Sequence, residues 1–318
     1  MIDLKSEKIL ITGANGFLGT HLKNFLKSHK IKFEITESKK NDLTNFQEAN
    51  KIFKKIKPTI VFSLAARVGG ILVNKENKAD FYRDNTLINT NIYELSRLYK
   101  VKKLINVGAG CGYPLKLKEP LREENIWDGF PQAESAAYSL SKKMIIMQSI
   151  AYKEQYDLNS ITLIPSNIYG EYDNYNLSDS HVVPALVRKF FEAKKFDKND
   201  INVWGDRNVK RDFIHAFDVA RALVYGARYY NGTLPLNICS GKQFSIYQLV
   251  LNLKKITDFK GKIVWDKSKP TGQKSRKMSQ SNQKKFLNKW SPKIKFYKGL
   301  EMTYDWFKKN YDNKKLRL

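Results

Sequence analysis

The sequence predicts an α/β protein built on a doubly wound parallel sheet, with a second, smaller α/β lobe. Three observations predict it. Short β-like runs alternate with helical patterns through the first half of the 318 residues. A glycine-rich turn follows the first of those runs directly, and after Asn167 the alternation breaks into irregular segments. Alternation of this kind places parallel strands side by side under crossover helices.

The elements are read in order. Lys8-Ile9-Leu10-Ile11-Thr12 is the first strand, Phe17 to Ser28 a helix and Ile31 to Ile35 the second strand. Phe46 to Lys55 is helical and Thr59 to Ser63 a strand. The long pattern Phe81 to Tyr99 precedes the strand Lys103 to Val107, and a second long helix, Tyr138 to Tyr156, precedes the strand Ser160 to Ile164. Apolar residues recur at helical spacing in the long segments, whereas the strands are short continuous apolar runs, as buried parallel strands are. Beyond them come a helix at Val183 to Lys194, a strand at Ile201 to Trp204, a helix at Ile246 to Ile256 and a strand at Lys262 to Trp265. The expected division is a dinucleotide-binding domain over 1–169 and about 213–240. A substrate lobe is expected over about 170–212 and 241–318.

Hydrophobic residues make up 42% of the chain, a globular composition with enough apolar mass for a large core. The formal charge is +26. Its lysines are spread from end to end with no nucleic-acid motif among them, so a basic cleft for an anionic small molecule is expected, and no nucleic-acid partner. Cys111 and Cys239 do not make a disulfide framework, which fits a reducing compartment, and the chain is expected to be cytoplasmic. The start lacks the form of a signal peptide, and no run approaches the roughly 18 apolar residues of a membrane span, so no membrane partner is expected. Four histidines and two cysteines show no ligand-like spacing, so no metal is expected.

Gly13-Ala14-Asn15-Gly16-Phe17-Leu18-Gly19 closes the first strand and opens the first helix. Gly13 permits a tight turn, Gly16 lets the backbone approach a pyrophosphate, and Gly19 lets helix and strand pack closely. The free N–H groups of the helix start then receive the anion, the signature of a Rossmann dinucleotide site. Glu37 falls 18 residues after Gly19, where a carboxylate accepts a hydrogen bond from an adenosine ribose 2′-hydroxyl and favours NAD. Ser38, Lys39 and Lys40 follow it and suit the 2′-phosphate of NADP. Both cofactors stay open, with NAD slightly favoured. Asp42 and Leu43 are placed at the adenine, and Ala65 and Ala66 beside the pyrophosphate and ribose.

Tyr138 and Lys142 are four apart and share a helix face. A phenol with a pKa of about 10 is a poor proton shuttle at neutral pH. An ammonium beside it is expected to stabilise the phenolate and lower that value. The same pair elsewhere is an ordinary surface contact; about 120 residues after a dinucleotide loop, it reads as catalytic.

At this point the chain resembles the extended short-chain dehydrogenase/reductase family, and within it the GDP-L-fucose synthases. The resemblance runs nearly end to end. It rests on Ala65-Ala66-Arg67-Val68-Gly69-Gly70-Ile71, on Cys111 with Tyr113-Pro114, and on Tyr138 through Lys142. Pro165 to Gly170 with Asp173-Asn174, Ser180-His181-Val182-Val183-Pro184-Ala185-Leu186, Trp204-Gly205, Arg211 to His215, and Lys269-Pro270 with Gly272 complete it. It implies an oxidoreductase that epimerises C3 and C5 of a GDP-4-keto-6-deoxy sugar and reduces C4 with a nicotinamide cofactor. It implies Cys111 as base and His181 as acid, with Pro165, Asn167 and His181 also near the cofactor. Val68, Asn167, Lys189, Trp204, Arg211 and Arg276 would hold the GDP-sugar. It also implies a homodimer through the two long helices. One position departs from the pattern. Two residues before the cysteine the family carries a serine or threonine whose hydroxyl donates to the C4 oxygen; here it is Ala109. The alternative reading is therefore a GDP-hexose or GDP-heptose 4-dehydrogenase or 4-reductase without epimerisation, using tightly held NAD.

Overall fold

In the computed structural model, residues 1–318 are described except 39, 269–271, 314–315 and 317, and the side chains of 71 and 72 are left aside. Lys39, Lys269 and Pro270, named above, thus lie outside the described residues. The larger lobe carries β1 (Ile9–Thr12), α1 (Phe17–Ser28), β2 (Glu34–Ile35), α2 (Phe46–Ile56), β3 (Ile60–Ser63), α3 (Ile71–Glu76), α4 (Lys78–Leu98), β4 (Lys103–Val107), α5 (Ala136–Tyr156) and β5 (Ser160–Pro165). Next come β6 (Asn167–Tyr169), α6 (Val182–Lys195), β7 (Asp200–Trp204), β8 (Lys210–His215), α7 (Ala216–Tyr229), β9 (Leu236–Ile238) and β10 (Gln243–Ser245). The chain ends with α8 (Ile246–Thr257), β11 (Lys262–Asp266), α9 (Ser281–Phe286) and α10 (Phe296–Asn310).

Six strands form an all-parallel sheet in the order β2-β1-β3-β4-β5-β9. The winding reverses between β1 and β3, and a crevice opens there at the carboxyl ends of the strands. One core lies under α1 and α7, with Leu22, Leu26, Phe62, Ile105 and Leu223 in it. The other lies under α2, α4 and α5, with Phe53, Ile92, Leu95 and Ile145. The strands are buried on both faces, which is why they read as unbroken apolar runs.

The second strand differs from the expected Ile31 to Ile35. Ile31 N–H is taken up by the Leu26 carbonyl as the end cap of α1, and Lys30 turns through a positive φ of 56°. Pairing with β1 therefore starts only at Glu34.

The smaller lobe has a sheet in the order β10-β8-β6 and the parallel pair β11-β7. Its own core includes Val187, Phe190, Leu249, Leu253, Leu300 and Phe307. Ser245 starts α8 with a capping box to Gln248. The stretch from Ala216 returns to the large sheet: Ala220 and Leu223 of α7 join its core, and β9 pairs with β5. The expected division assigned all of 241–318 to the substrate lobe. Leu287 and Trp290, just after α9, instead belong to the core under α1 and α7. Gln283 of α9 accepts a hydrogen bond from Cys239 N–H behind β9, which draws this segment back to the larger lobe.

Candidate functional site

A cavity of about 680 Å³ lies between the two lobes at the carboxyl ends of the strands. Its inner end is the glycine turn. Gly13 takes a φ of +66°, and a Cβ there would stand 2.7 Å from Ala65 N. A Cβ on Gly19 would stand 2.3 Å from the Gly13 carbonyl oxygen. Only glycine leaves this cradle open, and the start of α1 aims free N–H groups into it. Thr12 Oγ1 accepts from the N–H groups of Leu64 and Ala65, tying β1 to the segment after β3. These residues fit a dinucleotide pyrophosphate.

Gly13, Gly16, Phe17, Leu18, Gly19 and Ala66 line the cavity, as do Pro165 and Asn167. Asn15, Glu37, Asp42, Leu43 and Ala65 do not. Asn15 accepts a hydrogen bond from Lys23 Nζ at 2.6 Å, and Glu37 pairs with Lys40 at 3.1 Å. Asp42 holds a turn through Thr44, and Leu43 is buried in the core beneath α2.

Deeper in the cleft the four residues named as catalytic come together: Tyr138, Lys142, Cys111 and His181 all line it. α5 presents Tyr138 and Lys142 one turn apart. Lys142 is 5% exposed and donates to the Val107 carbonyl oxygen at 3.2 Å. Burial lowers its pKa to about 8, with Cys111 pulling the other way. Tyr138 corrects an expectation. Burial, then the nearby Cys111, push its phenol up, not down. Loss of hydration around the phenolate outweighs the ammonium one turn away, whose proton is directed at Val107.

Cys111 sits in a short 3-10 turn, Gly110–Gly112, with its thiol free and partly exposed. Its place follows from the end of β4, where a Cβ on Gly108 would meet Ile164 at 3.0 Å. His181 is the N-cap of α6, yet its side chain makes no capping bond, so the imidazole stays available to the cleft. Desolvation lowers its pKa and Asp179 opposes the shift.

The outer end is cationic. Val68, Lys189, Trp204, Arg211 and Arg276 line it. Lys189 Nζ stands 5.0 Å over the Trp204 ring and donates to the Asn202 carbonyl oxygen. Arg211 donates to the Lys210 carbonyl oxygen and Arg276 to Gln273 Oε1. Among the described residues neither guanidinium makes an ion pair. Burial and then Arg276 lower the pKa of Arg211 to about 10; burial lowers that of Arg276, which Cys111 and Glu119 oppose. Glu119 is the one carboxylate that acts on both guanidinium groups among the described residues, and the two crowded cations keep an excess of positive charge that suits an anion. Ala109 lines the cavity and brings no hydroxyl. Gln132, Ser135 and Asn74 line it as well, and sequence reasoning missed all three, because no spacing marks them. Among the described residues no group of His, Cys, Asp and Glu could hold a metal ion.

Residues 9–239 match the NAD dependent epimerase/dehydratase family. The chain belongs to that family. The chain is 36% identical to the GDP-L-fucose synthase of Sinorhizobium fredii, over 96% of this chain and 97% of that one. A GDP-L-fucose synthetase from Naegleria fowleri, solved bound to NADP, superposes with a TM-score of 0.91 at 29% identity, covering 100% of this chain and 98% of that one. The GDP-mannoheptose C4 reductase of Campylobacter jejuni, solved with NADP bound, gives 0.87 at 30% identity, covering 97% and 100%. As a family member this chain is a nicotinamide-cofactor enzyme. Among the described residues no helix is long and apolar enough to cross a membrane.

Proposed function

We propose that this chain epimerises C3 and C5 of a GDP-4-keto-6-deoxy sugar and reduces the C4 ketone, as the relatives named GDP-L-fucose synthases do. The observation that carries the reading is one cleft holding Cys111, Tyr138, Lys142 and His181 at its centre and the two crowded cations Arg211 and Arg276 at its mouth. The C4 ketone acidifies the neighbouring C–H bonds. Cys111 Sγ takes the proton, the electron pair moves onto the C4 oxygen as an enolate, and His181 returns a proton to the opposite face. When bound, the nicotinamide cofactor supplies the hydride for C4. Tyr138, kept protonated by its buried setting, gives its proton to the C4 oxygen, and Lys142 steadies the resulting phenolate. Arg211, Arg276 and Lys189 hold the diphosphate, Trp204 the base, and Val68 and Asn167 the sugar side. The smaller lobe, 170–212 with 241–280 and α10, is the substrate lobe.

Glu37 at the end of β2 supports NAD, and the two free cysteines support a reducing, cytoplasmic setting. The outer faces of α4 and α5 expose Tyr82, Leu87, Met144 and Met147, which supports a homodimer through these helices.

Ala109 favours a second reading, C4 oxidation or reduction of a GDP-hexose or GDP-heptose without epimerisation. One experiment separates them. The protein is incubated in D₂O with GDP-4-keto-6-deoxymannose and then with reduced cofactor. The synthase reading expects deuterium at C3 and C5 and then consumption of reduced cofactor. Consumption without deuterium, or formation of NADH from a GDP-hexose or GDP-heptose alcohol and NAD, selects the second reading, and the absence of all these events overturns both. Parallel assays with NADH and NADPH decide the cofactor.

A further inference from the structure

Asn74 is 6% exposed and lies on the cavity wall, on the short helix α3. Its Nδ2 donates to the carbonyl oxygens of Gly69 at 2.7 Å and Gly70 at 3.0 Å. Both bonds use the amide's hydrogens, and the Oδ1 is left buried with no partner. A buried acceptor without a donor is costly, and such groups call for an explanation. The explanation lies in what the two carbonyls are fixed to. Gly70 N–H donates to the Asp179 carbonyl oxygen at 2.8 Å, from the larger lobe to the smaller. The approach is close: a Cβ on Gly70 would stand 2.9 Å from Asp179 O and 3.2 Å from Ser180 O. Two residues beyond Asp179, the backbone turns into α6 at His181.

We infer that Asn74 is a positioning residue for His181, acting through the Gly70–Asp179 hydrogen bond. The amide fixes the direction of the Gly69 and Gly70 peptides, and Gly70 then latches the turn that leads into the N-cap of α6. His181 cannot be set by its own capping bond, since it makes none, so its place depends on this latch. The inference rests on the proposed epimerase chemistry, in which His181 delivers a proton to the face opposite Cys111. It assigns a role to Asn74 that does not require it to touch substrate.

The test compares two outcomes of one encounter. With GDP-4-keto-6-deoxymannose in D₂O and no reduced cofactor, Cys111 alone can remove a proton and return deuterium to the same face. Inversion at the carbon needs His181 as well. Asn74→Ala is expected to leave same-face exchange near the wild-type rate and lower inversion by about 10²-fold, the cost of a displacement near 1 Å. Gly70→Ala, which presses a methyl group against Asp179 O, is expected to shift the ratio the same way. It serves as the readout should Asn74→Ala fold poorly, judged by cofactor affinity. An unchanged ratio of inversion to exchange in the variants overturns the inference, because a merely structural role lowers both together. A wild-type protein with no exchange at all overturns the proposed epimerisation itself, and this inference falls with it.

Discussion

Lys142 reaches from α5 to the last residue of β4, donating to the Val107 carbonyl oxygen at 3.2 Å. The bond holds an ammonium at the carboxyl edge of the sheet, one helical turn from Tyr138. Burial brings its pKa to about 8, so the charged form dominates below that value and is lost as pH rises through it. Turnover of the cofactor-saturated enzyme is expected to fall on the alkaline side near pH 8. A Lys142→Met variant is expected to lose that limb along with most of its activity. A pH–rate profile checks both; an alkaline limb unchanged in Lys142→Met assigns it to another group.

Tyr138→Phe keeps the ring and removes the proton donor. Turnover is expected to drop by 10²-fold or more, roughly the share that a positioned acid contributes, while cofactor affinity is kept. Steady-state rates beside a cofactor titration measure this. Near-normal turnover sinks the assignment of Tyr138 as the acid.

Ala109 lines the cavity without a hydroxyl, at the position where the family resemblance implies a donor to the C4 oxygen. Ala109→Ser is expected to raise the rate of C4 reduction, by up to about 10²-fold if the donor reaches the developing oxyanion. Single-turnover reduction of a 4-keto substrate is the measurement. An unchanged rate means that Tyr138 already supplies all the hydrogen bonding that the oxygen needs.

Arg211 and Arg276 crowd each other at the cleft mouth, with Glu119 the carboxylate that acts on both. Arg211→Met is expected to weaken GDP binding by about 10-fold or more, the scale of a charge-assisted hydrogen bond. The loss should shrink in high salt, because screening already weakens the wild type. Calorimetric titration with GDP at two salt concentrations reads both effects; unchanged affinity removes Arg211 from the diphosphate site.

His21 and His215 flank Glu171 where α1 meets the smaller lobe, with Glu171 Oε2 3.7 Å from His21 Nε2 and 3.2 Å from His215 Nε2. Burial, then His215, lower the pKa of His21 from 6.5 to about 4. The unfolded chain therefore binds a proton that the folded one refuses between those values. Stability is present above about pH 6.5 and is lost as pH falls toward 4, by an amount on the order of 3 kcal/mol. Glu171, whose pKa is lowered despite burial by the nearby His215, loses stability in the same direction. His21→Gln is expected to flatten the acid side of a melting-temperature profile. A profile as steep as wild type assigns the acid sensitivity elsewhere.

The strands of the large sheet were legible because both their faces are buried, which writes them as apolar runs. Of the four candidate catalytic residues, Tyr138 and Lys142 were legible from their spacing after the glycine turn, while Cys111 and His181 were legible only through the family resemblance. What stayed hidden is what depends on neighbours far along the chain. The short β2 follows from Ile31 being claimed by Leu26, and the upward shift at Tyr138 follows from burial that spacing cannot express. Asn74 is one asparagine among many in the sequence. Only the fold shows its two donors meeting the Gly69 and Gly70 carbonyls. The return of Leu287 and Trp290 to the larger core likewise depends on Gln283 finding Cys239, 44 residues away.

The strand order has a consequence for biosynthesis. β9 completes the large sheet beside β5, yet it is made about 70 residues after β5 ends, with the first part of the second lobe translated in between. A nascent chain halted in that interval carries β5 with an open flank, and one halted before α7 is made also leaves apolar Ile161 and Leu163 awaiting its cover. Those intermediates are the ones a chaperone must shield, so truncations ending before Ile238 are expected to aggregate on emerging from the ribosome instead of accumulating as a free nucleotide-binding half.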